Sequence, residues 1–289
     1  MAEIQIGTKC NSNCIMCTTF RDNEKNNLVP KKELLKVINE TKDNSFLVTG
    51  GEPTLRRDMV EILKYINKNK PNAKIDFITN GRVFYYNKAI NKYKQIKNIK
   101  IITEIHGPNK EVHNEITRTK SSFKQTTVGI KKLLKNNFNV EIRIVISKKN
   151  YKYLPEMFKL IKREFKGIKR IVAFPIDIIG EAYKNKEDLI VKYNEFIPYL
   201  QRAIKSTKKT DIKIKLFHIP YCTLNENYFK YVKKGITVKE RRVELSKICN
   251  DCKYKNDCPR VWKTYIKNVG KNEFKPIKNK ITYETLQDK

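Results

Sequence analysis

Cys10, Cys14 and Cys17 fall within eight positions in "CNSNCIMC", directly after the short apolar run "EIQIG". Such thiols can serve as a disulfide framework, a zinc site, half of a redox pair, or a metal centre with one position left open. A chain of 289 residues has ample core and needs no disulfide staples to fold. The C-x3-C-x2-C spacing supplies three thiolates, one short of a closed four-coordinate site. Structural zinc normally takes four protein ligands, and no histidine stands nearby. A [4Fe–4S] cluster held by three thiolates instead keeps one iron free for a small molecule, which is what a catalytic cluster requires.

The other four of the seven cysteines gather near the C-terminus. Cys249, Cys252 and Cys258 are spaced C-x2-C-x5-C, and Cys222 ends the strand-like run "IKIKLFHIPYC". Four thiols can complete a tetrahedral zinc site or fully coordinate an iron–sulfur cluster. His106, His113 and His218 have no spacing that demands a metal or acid–base role, so they are read as hydrogen-bonded structural residues and no general base is assigned.

The elements that must position these thiols are legible as an alternation. Strand-like runs "EIQIG", "SFLVTGG", "KIDFITNG", "IKIITEIHG", "VEIRIVIS" and "IKRIVAFPID" are separated by amphipathic lysine-rich segments. Helical periodicity is clearest over 31–42, 57–68, 124–135 and 153–165. Six β-α units in series predict an α/β fold with a parallel sheet, either doubly wound or curled into a barrel. In either case functional loops follow the carboxyl ends of strands. "CNSNCIMC", "GGEPT", "TNG", "EIHG" and "DIIGEA" all sit at such ends. The rhythm changes after about residue 205, which divides the chain into 1–205 and a small cysteine-rich extension, 206–289.

Lys and Arg number 62 against 30 Asp and Glu, a formal net charge of +32. The excess is spread through every segment rather than gathered in one patch, as a lysine-rich solvated surface would be. No aromatic-interleaved basic motif speaks for RNA. The N-terminus has no basic stretch followed by a long apolar one, and no run approaches the roughly 18 apolar residues a membrane span needs. The chain is read as cytoplasmic with no membrane partner, a reducing setting in which clustered cysteines bind metal or do redox chemistry.

These motifs together resemble the radical SAM superfamily, whose signature is C-x3-C-x-φ-C after the first strand of a partial (β/α)6 TIM-like barrel. Cys10, Cys14 and Cys17 match its ligands and Met16 its φ position. "GGEPT" at 50–54 matches the GGEP motif, "TNG" the end of the third strand, and "IHGPNKEVHNEITR" the stretch after the fourth. The resemblance covers roughly the first 180 residues. It implies that the open iron chelates the amine and carboxylate of S-adenosylmethionine (SAM), while Gly50 and Gly51 permit close approach of its backbone. Glu52 would accept from the SAM ammonium and Pro53 stiffen the turn. Met16 would pack near the adenine and Asn80 near the ribose. Glu104, where relatives commonly have another polar residue, would bond the ribose hydroxyls; Arg118 would pair with the SAM carboxylate; and backbone near Gly180 would face the adenine.

The C-terminal stretch resembles the SPASM or twitch extensions of such enzymes, except that Trp262 stands where the last SPASM cysteine would be. That departure implies one auxiliary [4Fe–4S] cluster on Cys222, Cys249, Cys252 and Cys258, with structural zinc as the alternative. The activity implied is reductive cleavage of SAM to a 5′-deoxyadenosyl radical that takes hydrogen from a substrate. A peptide or protein undergoing modification is the expected substrate; tRNA modification or cofactor synthesis, or more remotely a non-catalytic iron–sulfur scaffold, are the alternatives. A flavodoxin or ferredoxin would donate the electron, and the basic surface would suit that acidic partner.

Overall fold

The computed structural model describes residues 1–19, 27–207, 210–236, 242–245 and 247–279. The end of the expected C-terminal extension, 280–289, lies outside the described residues.

Seven strands carry the apolar runs: β1 (Ala2–Gln5), β2 (Ser45–Thr49), β3 (Lys74–Ile78), β4 (Ile99–Glu104), β5 (Asn139–Ile146), β6 (Arg170–Pro175) and β7 (Lys213–Leu216). They form one sheet in the order β1 to β7, every neighbouring pair parallel. The helices between them are α1 (Lys31–Glu40), α2 (Met59–Asn69), α3 (Asn87–Tyr93), α4 (Lys110–Thr117), α5 (Ser122–Lys135), α6 (Leu154–Glu164), α7 (Glu181–Lys184), α8 (Lys186–Leu189) and α9 (Tyr193–Lys205).

A doubly wound sheet reverses its strand order at a switch point. Here the order never reverses, so right-handed crossovers bring the helices to one face and the sheet curls with its helices outside, as in a TIM-like barrel. The alternation within strands agrees. Ile75, Phe77, Ile99, Ile101, Val140, Ile142 and Ile144 enter the main apolar core. Their neighbours Asp76, Lys100, Glu141 and Arg143 share the other face, where Lys100 pairs with Asp76 at 2.9 Å and Arg143 with Glu141 at 3.1 Å.

The expected helices over 31–42, 57–68, 124–135 and 153–165 correspond to α1, α2, α5 and α6. Helix α9 carries Pro198 inside it, and Phe196, Ile197, Leu200 and Ile204 bury one face. The "IKIKLFHIPYC" run joins the barrel sheet as β7, beside β6.

Beyond it lie a short antiparallel pair, β8 (Val243–Glu244) and β9 (Val261–Trp262), and α10 (Lys263–Val269). Val243, Val261, Trp262, Tyr265 and Phe274 are buried in the same apolar core as the barrel. Tyr193 on α9 anchors that contact, its ring 4.9 Å from Tyr265 and 5.2 Å from Phe274. Among the described residues no helix is long and apolar enough to cross a membrane.

Candidate active site

Inside the loop after β1, Cys17 N donates to Cys14 O at 3.3 Å and Ser12 N to Cys10 Sγ at 3.4 Å. Neighbouring elements hold the rest. Asn13 N and Ile15 N donate to Thr117 O and Ile116 O at the end of α4 (3.1 and 2.9 Å), and Ala182 N on α7 donates to Cys17 O (3.0 Å). Ile15 and Met16 are buried in a separate apolar cluster with Ile116, Ile176, Ile178, Ala182 and Leu189. Two apolar anchors therefore pin the loop, while the thiols of Cys10, Cys14 and Cys17 are half-buried. Met16 shares its cluster with Ile178, next to the segment expected to face adenine.

The "GGEPT" turn after β2 lies against this loop's entry. Gly50 has φ +135°, in the region that favours glycine, and a Cβ there would come 2.6 Å from Gly7 O. At Gly51 a Cβ would lie 2.1 Å from Lys9 O. Gly51 N donates to Gly7 O (2.8 Å) and Glu52 N to Lys9 O (2.7 Å), joining the two loops backbone to backbone. Pro53 is buried at the start of a single 3-10 turn.

Glu52 is buried, and its carboxylate is a hub. One oxygen accepts from Thr54 N, Thr54 Oγ1 and Thr79 Oγ1 (3.0, 2.6 and 2.7 Å); the other accepts from Asn80 N (2.7 Å). Burial raises its pKa against the lowering effect of those bonds. Glu52 thus ties the end of β2 to the end of β3, a role beyond the ammonium contact expected of it. Asn80 in turn donates from Nδ2 to Asn11 Oδ1 (2.7 Å), inside the cysteine loop.

Glu104 ends β4 with a partly exposed carboxylate 3.4 Å from His106 Nε2. Burial lowers the pKa of His106, while the Glu104 charge opposes it; His113, buried beside it, is lowered further. Arg118 takes a left-handed conformation (φ 49°) at the end of α4, and its exposed guanidinium donates to Asn185 Oδ1 (3.0 Å). Gly180 has φ +63°, and a Cβ there would lie 2.4 Å from the Thr18 carbonyl carbon, so this glycine lets the loop after β6 touch the exit of the cysteine loop.

Side chains that the motifs did not single out complete the arrangement. Arg82 NH1 donates to Asn11 O and to Ser12 Oγ. Arg143 stands in register with Glu104 on the inner face; the polar–apolar alternation of "VEIRIVIS" is a signal by which such a position can be found. Asp177 after β6 is buried, accepts from Thr264 Oγ1 at 2.6 Å, and pairs with Arg242. The C-terminal segment therefore grips the same strand ends.

Cys222, Cys249, Cys252 and Cys258 line one small cavity, shared with Tyr221, Tyr254 and Phe274. Burial, with the neighbouring thiols adding to it, pushes Cys222 up to about 12 and Cys258 up to about 11. Backbone groups of Lys275 and Arg260 hydrogen-bond these two sulfurs and act the other way. Thiols so crowded ionise readily only against a positive centre. The donor set in both places is sulfur alone, which fits iron–sulfur ligation. Among the described residues no group of three or more His, Cys, Asp or Glu is set as a ready-made single-ion site. The Trp262 position, cysteine in the SPASM pattern, instead supplies an indole that donates to Pro175 O (2.8 Å).

Comparison with known proteins bears on this geometry. The family model described as "Radical SAM superfamily" matches residues 4–161. A probable GTP 3′,8-cyclase of Saccharolobus islandicus is 28% identical over 220 residues, 73% of this chain and 67% of the relative. The AdoMet-dependent heme synthase of Methanosarcina barkeri is 24% identical over 245 residues, 82% of this chain and 64% of that protein. Streptococcus suis SuiB, solved bound to precursor peptide SuiA, superposes with a TM-score of 0.61 at 16% identity, over 74% of this chain and 48% of SuiB. This chain thus spans about half the length of SuiB and about two thirds of the cyclase.

Proposed function

The chain belongs to the radical SAM superfamily of enzymes, and on that premise we propose that Cys10, Cys14 and Cys17 hold its [4Fe–4S] cluster, that SAM binds over the "GGEPT" turn, and that the substrate is a peptide or protein. The observation that carries this reading is the pair of bonds from Gly51 N to Gly7 O and from Glu52 N to Lys9 O, which lock the glycine turn to the three-thiol loop. Held by Cys10, Cys14 and Cys17, a reduced cluster would supply the one electron for reductive cleavage of the C5′–S bond of SAM, the source of a 5′-deoxyadenosyl radical that would take a hydrogen atom from substrate.

The protein's share is positional. Gly50 and Gly51 keep side chains away from the turn, while Glu52 fixes the ends of β2 and β3. Asn80, Glu104, Arg118, Met16 and backbone near Gly180 are the proposed contacts for the remainder of SAM. Residues 1–205 are the expected core and 206–289 the expected auxiliary module, but β7 (Lys213–Leu216) completes the barrel sheet, so the proposed auxiliary module starts after that strand.

In that module Cys222, Cys249, Cys252 and Cys258 are the proposed ligands of a second [4Fe–4S] cluster. Four thiols leave no iron open, so substrate would bind elsewhere, which suits a polypeptide more than a small chelating molecule. The fold likeness to SuiB, solved with its precursor peptide, supports the same reading. A second reading, cofactor synthesis, draws on the sequence identity to the cyclase and the heme synthase. An acidic flavodoxin or ferredoxin is the proposed electron donor for this chain of net charge +32, in a cytoplasmic setting that keeps its seven thiols reduced.

Anaerobic reconstitution followed by assay of 5′-deoxyadenosine tests the chemistry. Dithionite-reduced wild type forms it and Cys14→Ala does not; equal behaviour of the two would overturn the proposal. Candidate peptides encoded beside the gene, and GTP in parallel, then separate the substrate readings by which of them gains a mass change.

A further inference from the structure

We propose that Arg82 is a positioning residue for the cysteine loop, holding Asn11 and Ser12 so that the Ser12 N–H stays on the sulfur of Cys10 and the potential of the cluster is raised. The inference rests on the reading that Cys10 is a cluster ligand.

The local sequence explains how Arg82 reaches that loop. Gly81 turns the chain with φ +76°, and a Cβ there would come 2.7 Å from Thr103 Oγ1. The Asn80 side chain then accepts from Arg82 N (3.0 Å), an Asx-type turn that throws the arginine back over the strand ends. Thr126 Oγ1 on α5 holds Asn80 O (2.9 Å). The guanidinium is anchored at its base, where Nε donates to Gln125 Oε1 (2.7 Å). Its far end donates from NH1 to Asn11 O and to Ser12 Oγ, the latter at 3.1 Å. Ser12, buried under this contact, turns its own N–H to Cys10 Sγ at 3.4 Å.

A chain of contacts therefore runs from α5 through Arg82 and Ser12 to one of the three thiols. In the fold Asn11 and Ser12 are where the loop is gripped. Arginine suits the task because its planar fork can serve a carbonyl and a hydroxyl from one anchored position. Two physical effects follow. An N–H on a ligating sulfur withdraws charge from it, and a fixed cation nearby favours the reduced cluster; both raise the reduction potential. Groups that orient ligands in this way commonly cost 10- to 100-fold in metal affinity when removed.

The test is a comparison of full-length wild type, Arg82→Gln, Arg82→Lys and Gln125→Ala, reconstituted anaerobically. The reduction potential is followed by the electron paramagnetic resonance signal that changes on adding SAM. Arg82→Gln is expected to lower the reduced-to-oxidised ratio about tenfold at fixed poise, about 59 mV for one electron. It also retains less iron after gel filtration. Arg82→Lys restores part of the potential through its charge but not the iron retention, because one ammonium cannot hold both acceptors. Gln125→Ala, which frees the arginine without touching the loop, shifts both in the direction of Arg82→Gln by less. Unchanged potential and iron retention in Arg82→Gln overturn the proposal. If Arg82→Gln fails to load, wild-type values in both Arg82→Lys and Gln125→Ala overturn it. A wild type that binds no iron through Cys10, Cys14 and Cys17 overturns the underlying reading instead.

Discussion

The indole of Trp262 stacks on the imidazole of His218, ring centroids 3.8 Å apart, and donates its N–H to Pro175 O at the end of β6. The Arg242 guanidinium lies over the Trp262 ring, 5.2 Å from its centroid, and pairs with Asp177. One aromatic contact thus joins the C-terminal segment to two barrel strands. Trp262→Ala should cost about 3–5 kcal/mol, since it removes a large buried ring. Trp262→Phe should cost less, about 1–3 kcal/mol, by leaving Pro175 O without its donor. Denaturant melts of the two variants check this order, and equal losses would contradict it.

His218 gives the fold a pH dependence. Burial pushes it down to about 4 from the usual 6.5, with Arg242 acting in the same sense and the backbone at Pro259 against it. Between those values the unfolded chain binds the proton and the folded chain does not, so stability falls as pH drops from 6.5 toward 4. Going from pH 7 to pH 5 should cost about 2 kcal/mol through this residue, by the worth of a pKa shift. His106 and His113 are lowered by burial too and act in the same direction. Melts of wild type and His218→Phe at both pH values should show the smaller acid loss in the variant.

Gly51→Ala is expected to disturb the glycine turn, because its Cβ would meet the Lys9 backbone rather than a side chain that can move. Overpacking of this kind costs about 1–3 kcal/mol. SAM affinity, read by calorimetry on the reconstituted protein, should fall with it.

Glu52→Gln separates charge from hydrogen bonding. All four groups facing Glu52 donate to it, so an amide must turn its own N–H₂ toward one of them. A loss of about 1–3 kcal/mol is expected despite the removal of a buried charge. Because burial raises the pKa of Glu52, ionising this carboxyl costs the fold, and wild-type stability declines as pH rises above the normal value of 4.5. The gap between wild type and variant should therefore widen toward acid pH in melts followed from pH 7 to pH 5.

Iron analysis addresses the two thiol groups together. Wild type should hold about eight irons per chain, and the Cys10/Cys14/Cys17→Ala variant about four, each cluster having four. Zinc in place of the second four would contradict the auxiliary-cluster assignment.

Much of this was legible from local chemistry. Cys10, Cys14 and Cys17 declare themselves by spacing, and Gly50 and Gly51 by needing room. The strand runs declare themselves by apolar residues that must be buried wherever the strand lies. Arg82 and Asp177 do not, since an arginine or aspartate at a strand end reads as a solvated charge until its partners are known.

The sequence by itself determined the β-α alternation, the strand ends that carry motifs, and a donor set made only of sulfur, because these depend on residue type and short-range period. The tertiary structure decided the rest. Only the order of seven parallel strands tells a curled sheet from a doubly wound one. Only folding brings Glu52 onto Asn80, Arg82 onto Ser12 and Trp262 onto His218. Those contacts join residues 28, 70 and 44 positions apart. No local pattern encodes such pairings, which exist because one parallel sheet aligns every strand end along a common rim.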